Sequence, residues 1–143
     1  MIRLMTIDDI DQVVRLEKLV FNETLGDVFL YNEISINPLS KYYVYEENEQ
    51  VISYIGLRIY DNEAEVMNFL VDPNYRNEGY GTKIMNYVLN DLEAMKVDSI
   101  TLEVRKSNKV AQNFYYKNGF SKISVKKNYY ANNEDAYFLK KEV

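Results

Sequence analysis

The chain of 143 residues contains neither cysteine nor histidine. These two absences exclude thiolate nucleophiles, imidazole bases, disulfides and the usual zinc ligands. Any acid–base chemistry must therefore use carboxylates, tyrosines, lysines or water, and we expect no metal site.

Glycine, proline and long apolar runs are also scarce. With five Gly, two Pro and 47% hydrophobic residues, the chain fits one compact domain, residues 1–143, with a sizeable core. No apolar run approaches the roughly 20 residues that are needed to span a bilayer. The N-terminal residues become acidic before a signal-peptide pattern can form. We therefore expect a soluble, cytoplasmic protein that does not bind a membrane.

Positive charge is in the minority. Lys and Arg number 17 against 22 Asp and Glu, which gives a net charge of −5. This balance is unlike that of a nucleic-acid-binding surface, so we expect no direct contact with nucleic acid. An acidic surface instead suits a cationic substrate. The 14 tyrosines are typical of strand and core positions, because aromatic side chains favour pleated, half-buried surfaces.

Periodicity and capping signals predict two helices in the first third of the chain. Thr6 and Asp9 form a capping-box pattern, after which apolar residues recur at helical spacing as far as Phe21. A second, shorter helix is expected over residues 27–36, because Pro38 marks its end.

Two further helices are predicted in the second half. After Pro73, apolar residues recur at three and four positions from Ile84 to Met95, which indicates an amphipathic helix. Asn108 is a candidate N-cap of the last helix, and Asn118-Gly119 is typical of its end.

Alternation and turn residues predict strands at 42–45, 51–60, 64–71, 100–104, 120–126 and 135–140. The first three are joined by short connections, which implies an antiparallel meander. A helix separates the third strand from the fourth, so these two are expected to be locally parallel inside an otherwise antiparallel sheet.

The densest motif is V-D-P-N-Y-R-N-E-G-Y-G-T, from Val71 to Thr82. Gly79 and Gly81 allow backbone N–H groups to approach a ligand closely, and the following helix N-terminus carries partial positive charge. The loop could therefore hold a pyrophosphate. Two glycines alone would equally fit an ordinary strand-to-helix turn, because neither a dinucleotide nor a Walker motif is present.

The pattern Arg76-x-x-Gly79-x-Gly81 resembles the R/Q-x-x-G-x-G/A signature of the GNAT superfamily of N-acetyltransferases. Further motifs resemble the bacterial ribosomal-protein N-terminal-alanine acetyltransferases: L-E-V-R-K-S-N at 102–108, F-Y-Y-K-N-G-F at 114–120, N-Y-Y at 128–130 and E-D-A at 134–136. Over residues 1–60 only the order of elements matches.

The resemblance implies a fold and a cosubstrate. The fold is the α/β GNAT fold, a mixed, mostly antiparallel sheet of about seven strands with helices on both faces and a central, splayed parallel pair. The cosubstrate is acetyl-CoA, whose acetyl-pantetheine arm and pyrophosphate the family holds with backbone groups. The implied cofactor-binding residues are Phe69, Leu70, Val71, Arg76, Asn77, Glu78, Gly79, Tyr80, Gly81, Thr82 and Asn108. Unpaired N–H groups beside a bulge would polarise the thioester carbonyl.

Glu103 and Tyr115 match the two catalytic residues of the family. Glu103 lies on the strand face opposite Leu102 and Val104, where a carboxylate is commonly only solvated; within L-E-V-R it matches the general base that deprotonates the amine. Tyr115 matches the general acid that protonates the departing thiolate, although helical tyrosines commonly serve packing. The missing Cys and His favour direct transfer in a ternary complex over an acyl-enzyme.

Two other sites leave alternatives open. Asn77 stands where the family commonly has Arg, so Arg76 or Lys83 would have to supply the missing phosphate partner. Tyr129 and Tyr130 match a loop near the peptide entrance, but paired aromatics could equally close the core. Asn108 could be a helix cap, a cofactor contact or both.

Three functions are compatible with these patterns. The continuous match over residues 102–136 favours acetylation of a protein N-terminus, with an N-terminal alanine of a small-subunit ribosomal protein as the target implied by the resemblance. A family member that acts on a small amine or on a lysine side chain would not require the N-Y-Y and E-D-A motifs. A non-catalytic acyl-CoA-binding module would not require both Glu103 and Tyr115.

Overall fold

The computed structural model describes all residues from 1 to 143. Its helices are α1 (Ile10–Phe21), α2 (Asp27–Ser35), α3 (Tyr80–Ala94) and α4 (Lys109–Lys117), with 3-10 turns at Ile7–Asp9 and Pro73–Tyr75. None of these helices has the length and apolar character required to cross a membrane. All four predicted helices are present, and the boundaries differ by only a few residues.

Seven strands form a single sheet in the order β1-β2-β3-β4-β5-β7-β6. They are β1 (Ile2–Leu4), β2 (Ser40–Glu47), β3 (Gln50–Tyr60), β4 (Glu63–Val71), β5 (Ser99–Arg105), β6 (Ser121–Lys126) and β7 (Ala136–Glu142). Every neighbouring pair is antiparallel except β4 and β5. The predicted mixed, mostly antiparallel α/β sheet with one central parallel pair is therefore confirmed.

The strand that sequence patterns missed is β1. It has only three residues, too few to display an alternation, and it pairs with β2. Arg3 anchors it to the start of α1, because its guanidinium donates to both carboxylate oxygens of Asp9 at 2.8 and 3.0 Å. The same carboxylate accepts the Thr6 N–H at 2.8 Å, so the predicted capping box also fastens the edge of the sheet.

Helices cover both faces of the sheet. On one face, α3 and the α4 residue Tyr115 pack over a cluster of 17 buried residues; on the other, α1 and α2 pack over a cluster of 10. The alternation of β2 divides its tyrosines between them, with Tyr43 in the first cluster and Tyr42 in the second. Tyr42, Tyr43 and Tyr54 are buried strand residues, as the composition predicts.

A β-bulge interrupts the centre of the sheet. Gly56 pairs with Asn68 but Leu57 pairs with Val66, so Met67 of β4 has no partner on β3. On its other side, β4 pairs with β5 only from Glu63 to Glu65. Beyond Glu65 the two strands separate, because a bulge bends the strand that carries it. The sheet is therefore open between the second half of β4 and β5.

Gly56 is required at this bulge by a close contact with an aromatic ring. A Cβ atom added to Gly56 would lie 2.3 Å from Cε2 of Tyr42. The ring has little freedom to move away, because its hydroxyl donates to Oε1 of Glu33 at 2.9 Å. We predict that Gly56→Ala lowers the free energy of unfolding by about 1–3 kcal/mol, the usual effect of overpacking, measured by urea denaturation.

Gly81→Ala is the matched control for this variant. Its added Cβ would lie 3.3 Å from the nearest atom of Phe114, a tight contact that a shift of a few tenths of an ångström relieves, and alanine is favoured over glycine in a helix. We expect a clearly smaller loss of stability than in Gly56→Ala. Equal losses in the two variants would contradict the assignment of a tight contact at Gly56.

Candidate active site

A cavity of about 550 Å³ lies where β4 and β5 separate. Phe69, Glu103, Asn108 and Tyr115 all line it, although they come from four different parts of the chain. Its walls belong to β4, β5, α4, the connection between α1 and α2, and the connection between β6 and β7. The cavity thus joins residues that the sequence motifs single out independently.

Glu103 enters the cavity from β5, where it pairs with Phe138 of β7. Its neighbours Leu102 and Val104 are buried in the cluster under α3, so Glu103 faces the opposite side of the strand, as predicted. Lys126 donates to Oε1 of Glu103 at 2.5 Å. Interaction with the same carboxylate, together with burial, raises the pKa of Tyr129 to about 12. The half-buried Glu103 carboxylate therefore holds the ammonium group of Lys126 at the cavity wall.

Tyr115 approaches the cavity from α4, on the other face of the sheet. Its ring packs against Phe69, Phe114 and Phe120, with centroid distances of 6.3, 5.5 and 5.5 Å. Burial, and secondarily the nearby Tyr130, raises the pKa of the phenol far above its usual value. The hydroxyl is consequently protonated at any pH near neutrality. Tyr115 is both a packing residue and a proton-bearing group in the cavity wall.

The backbone of β4 points alternately toward β3 and toward the cavity. Asp72 donates its N–H to Ile52 across the β3 side at 2.7 Å. Because successive residues of a strand alternate, Leu70 also points its N–H and C=O toward β3, whereas Phe69 and Val71 point theirs toward the gap. Of the three predicted strand residues, only Phe69 and Val71 therefore present backbone groups to the cavity side.

Two of these groups have partners within the chain. The Phe69 N–H donates to Oδ1 of Asn68 at 3.0 Å, and the Val71 C=O accepts from Nε of Arg76 at 3.3 Å. Leu70 is buried, and its carbonyl accepts from the Ser53 hydroxyl at 2.7 Å. The predicted backbone contacts at Leu70 are thus occupied by the ladder and the core.

The loop before α3 has the backbone of an anion-binding turn. Asn77 and Gly79 adopt left-handed conformations with φ of 63° and 85°, which suits asparagine and glycine. No side chain caps α3, and the first bond of the helix ladder runs from Lys83 N–H to Gly79 C=O. The preceding N–H groups have no intrahelical acceptor, and they coincide with the positive end of the helix dipole. The arrangement fits a phosphate group.

The side chains of this loop divide into three kinds. Arg76 is exposed, and its Nε–H donates to the Val71 carbonyl. Lys83 lies over the Tyr80 ring, with Nζ 5.4 Å from the ring centroid. Both candidate phosphate partners therefore lie at this loop. Tyr80 itself packs edge-on against Tyr45 and Tyr75. Glu78 and Thr82 are exposed and can contribute backbone groups.

Asn108 has the capping role, and it also lines the cavity. Its Oδ1 accepts the Ala111 N–H at 3.1 Å at the start of α4. The interpretation of Asn108 as a helix cap is therefore confirmed, and its contact with the cofactor stays a prediction.

An ionic clamp holds the connection between β6 and β7 against the end of β5. The Arg105 guanidinium lies 3.9 Å from the Tyr130 ring centroid and donates to Oε1 of Glu134 at 3.0 Å. The other oxygen of Glu134 accepts the Ser107 N–H at 2.8 Å. Tyr130 lines the cavity, with Tyr129 packed edge-on against it. The arginine of L-E-V-R and the glutamate of E-D-A thus act together, a link that sequence reasoning missed.

Sequence reasoning also missed the wall opposite this clamp. Phe21, Glu23, Thr24 and Leu25, at and after the end of α1, line the cavity together with the buried Glu17. No sequence motif of the family covers residues 1–60, where the resemblance is limited to the order of helices and strands. A glutamate in an amphipathic helix gives no sign of burial, so no sequence signal could have found it.

Comparison with known proteins agrees with this geometry. Residues 8–120 match the profile of the acetyltransferase (GNAT) family. A Bacillus subtilis protein, provisionally named a ribosomal protein bS18-alanine N-acetyltransferase, is 31% identical over 139 residues, which cover 96% of this chain and 92% of that one. A Haemophilus ducreyi protein named a ribosomal protein bS18-alanine N-acetyltransferase is 36% identical over 86 residues, covering 60% of this chain and 59% of that one.

The fold has an equally clear match among solved structures. The ribosomal-protein-S18-alanine N-acetyltransferase of Escherichia coli superposes with a TM-score of 0.91 at 22% identity, covering 100% of this chain and 93% of that one. At that identity the match concerns the fold alone. The family profile covers most of the chain, and the chain therefore belongs to the GNAT family of acetyltransferases.

Proposed function

We propose that this protein transfers the acetyl group of acetyl-CoA to the N-terminal α-amine of a protein, with an N-terminal alanine of a small-subunit ribosomal protein as the substrate. The observation that carries the proposal is the cavity between β4 and β5. It brings a strand edge, a carboxylate and a protonated phenol together from opposite faces of the sheet. The names of the two bacterial relatives support the choice of amine.

Two groups of residues fit parts of acetyl-CoA. The uncapped start of α3, with Arg76 and Lys83 beside it, suits the pyrophosphate. The backbone groups that stay open toward the gap, namely the Phe69 C=O and the Val71 N–H, suit the pantetheine amides. Acetyl-CoA supplies an activated acyl carbonyl, and N–H groups aimed at that carbonyl stabilise the charge that develops on its oxygen.

Glu103 and Tyr115 complete the proton transfers in this proposal. Glu103 takes a proton from the α-ammonium, directly or through a water molecule, and the neutral amine forms a C–N bond with the thioester carbon. The C–S bond breaks, and Tyr115 gives its proton to the thiolate. The second proton lost by the amine nitrogen restores the phenol, and Glu103 releases its own proton to solvent, so the protein returns to its starting state.

Cofactor binding is tested by thermal unfolding. At a hundredfold excess over Kd, a ligand that binds only the folded state adds about 2.7 kcal/mol, so acetyl-CoA should raise Tm by roughly 8 °C. Gly81→Val should abolish this increase, because the larger side chain would press on Phe114 and Val71, 3.3 and 3.4 Å from its Cβ, and displace the helix start where the pyrophosphate is expected. The control Asn86→Val puts the same side chain further along α3, on its exposed face. An undiminished shift in Gly81→Val would refute the phosphate site.

The role of Glu103 is tested by the pH dependence of Glu103→Gln. Loss of a general base should lower turnover by roughly 100-fold or more, with little change in the Kd of acetyl-CoA. The deficit should shrink as pH rises above the α-amine pKa of about 8, because a neutral amine needs no base. Glu63→Gln, an exposed carboxylate at the start of β4, is the control. A deficit that stays constant up to high pH would assign Glu103 to substrate positioning instead.

The proposed substrate is tested with three amines. They are a peptide with a free N-terminal alanine, a peptide whose N-terminus is already acetylated and whose only amine is an internal lysine, and a polyamine. We expect the free alanine peptide to react at least roughly tenfold faster, because an α-amine has a pKa near 8 and a lysine near 10.4. Far more of the α-amine is therefore neutral at neutral pH and available to a weak carboxylate base. Comparable initial rates on the other two amines would favour the small-amine or lysine alternative.

A further inference from the structure

Glu17 of α1 is a buried carboxylate with no cationic partner. Its side chain is fully buried, and four donors surround it. On Oε1 it accepts from the Thr24 hydroxyl at 2.5 Å and the Leu25 N–H at 3.2 Å. On Oε2 it accepts from the Tyr54 hydroxyl at 2.5 Å and Nδ2 of Asn68 at 2.9 Å. Two donors on each oxygen fill the acceptor sites of a carboxylate.

The two oxygens of Glu17 hold opposite walls of the cavity. Oε1 fastens the connection between α1 and α2, through Thr24 and Leu25. Oε2 fastens the bulge of β4, through Asn68. The same Asn68 accepts the Phe69 N–H on its Oδ1. One continuous chain of hydrogen bonds therefore runs from the α1–α2 connection to the strand edge at the cavity.

A second buried carboxylate provides a contrast. Glu33 of α2 also binds four partners, namely Tyr42, Asn37, Ser40 and Arg58. It has a cation in Arg58, at 2.9 Å, and it does not line the cavity. Glu33 thus has the arrangement of a structural carboxylate, whereas Glu17 is buried without a cation at the place where two cavity walls meet. Burying an unpaired charge is costly, so Glu17 requires another explanation.

We propose that Glu17 is a positioning residue. It sets the distance between the α1–α2 connection, which borders the amine in the cavity, and β4, which holds the acyl group. By accepting from Nδ2, it orients the Asn68 amide so that Oδ1 meets the Phe69 N–H. This inference depends on the proposed function, since it assigns the acyl group to the β4 edge and the amine to the cavity that Glu103 and the α1–α2 connection both line. Small misplacements of reacting groups have large effects on rate.

The test is a hydrogen-bond reversal. In either orientation of its amide, Glu17→Gln places an NH2 group against a pair of donors, either Thr24 and Leu25 or Tyr54 and Asn68. One wall of the cavity then loses its link, which should lower kcat about tenfold or more, while the Kd of acetyl-CoA changes less than about twofold. In the double variant, Glu17→Gln is combined with Asn68→Asp. The new amide at position 17 then donates to the new carboxylate at position 68, which still accepts the Phe69 N–H. We expect the double variant to recover kcat to within about threefold of the wild type.

Glu33→Gln is the matched control, because it removes a buried carboxylate with as many partners away from the cavity. It should lower Tm but leave kcat within about twofold of the wild type when assayed well below that Tm. Equal losses of kcat in the two single variants would overturn the proposal, and so would a double variant no faster than Glu17→Gln.

Thr24→Val replaces Glu17→Gln if the latter does not fold, because it keeps the carboxylate and removes only the Thr24 hydroxyl, which donates to Glu17 and accepts the Gly26 N–H at 3.0 Å. A reduced kcat with unchanged cofactor affinity supports the proposal, and an unchanged kcat overturns it. All ratios are measured on whichever amine the wild type acetylates. If the wild type acetylates none of the three test amines, the proposed function fails on its own, separately from any comparison among the variants.

Discussion

The ladder between β4 and β5 ends after Glu65, and the rest of the site depends on this interruption. Backbone N–H and C=O groups inside a protein need hydrogen-bond partners. A strand that separates from its neighbour in mid-sheet therefore leaves the groups along its edge without ladder partners. Two side chains of the chain supply such partners: Asn68 accepts from the Phe69 N–H, and Arg76 donates to the Val71 C=O. The bulge in β4 makes the separation possible, because it turns β4 away from β5 without breaking its pairing to β3.

An opening through the sheet also explains how its two faces cooperate. In a continuous sheet, a side chain under α1 and one under α4 would be separated by a layer of backbone. Here Glu103 and Tyr115 start from opposite faces and line the same cavity. The fold thus combines a half-buried carboxylate, which accepts from the Lys126 ammonium, with a phenol whose proton is retained by apolar surroundings.

The parts of the fold and site that sequence could predict are those where residue type alone carries a constraint. A left-handed turn favours Gly79, an amphipathic stripe reveals α3, and the motifs after Leu102 single out a carboxylate and a phenol that the structure brings to one cavity. Prediction failed where the constraint is tertiary. The partners of Glu17 include Tyr54 and Asn68, 37 and 51 positions away, and no local pattern records such contacts. The short β1 likewise depends on an ion pair to the start of α1 more than on its own residues.

The pairing of Lys126 with Glu103 has a consequence for selectivity among amines. The carboxylate already holds an ammonium group at 2.5 Å, beside the rings of Tyr129 and Phe138. A cationic substrate that reaches Glu103 therefore exchanges places with, or shares the carboxylate with, a cation of the same type, and the local charge changes little. Attraction between opposite charges then contributes little to discrimination between one amine and another. Apart from the difference in amine pKa, discrimination must come from shape, namely how well the chain that follows each amine fits between the walls of the cavity.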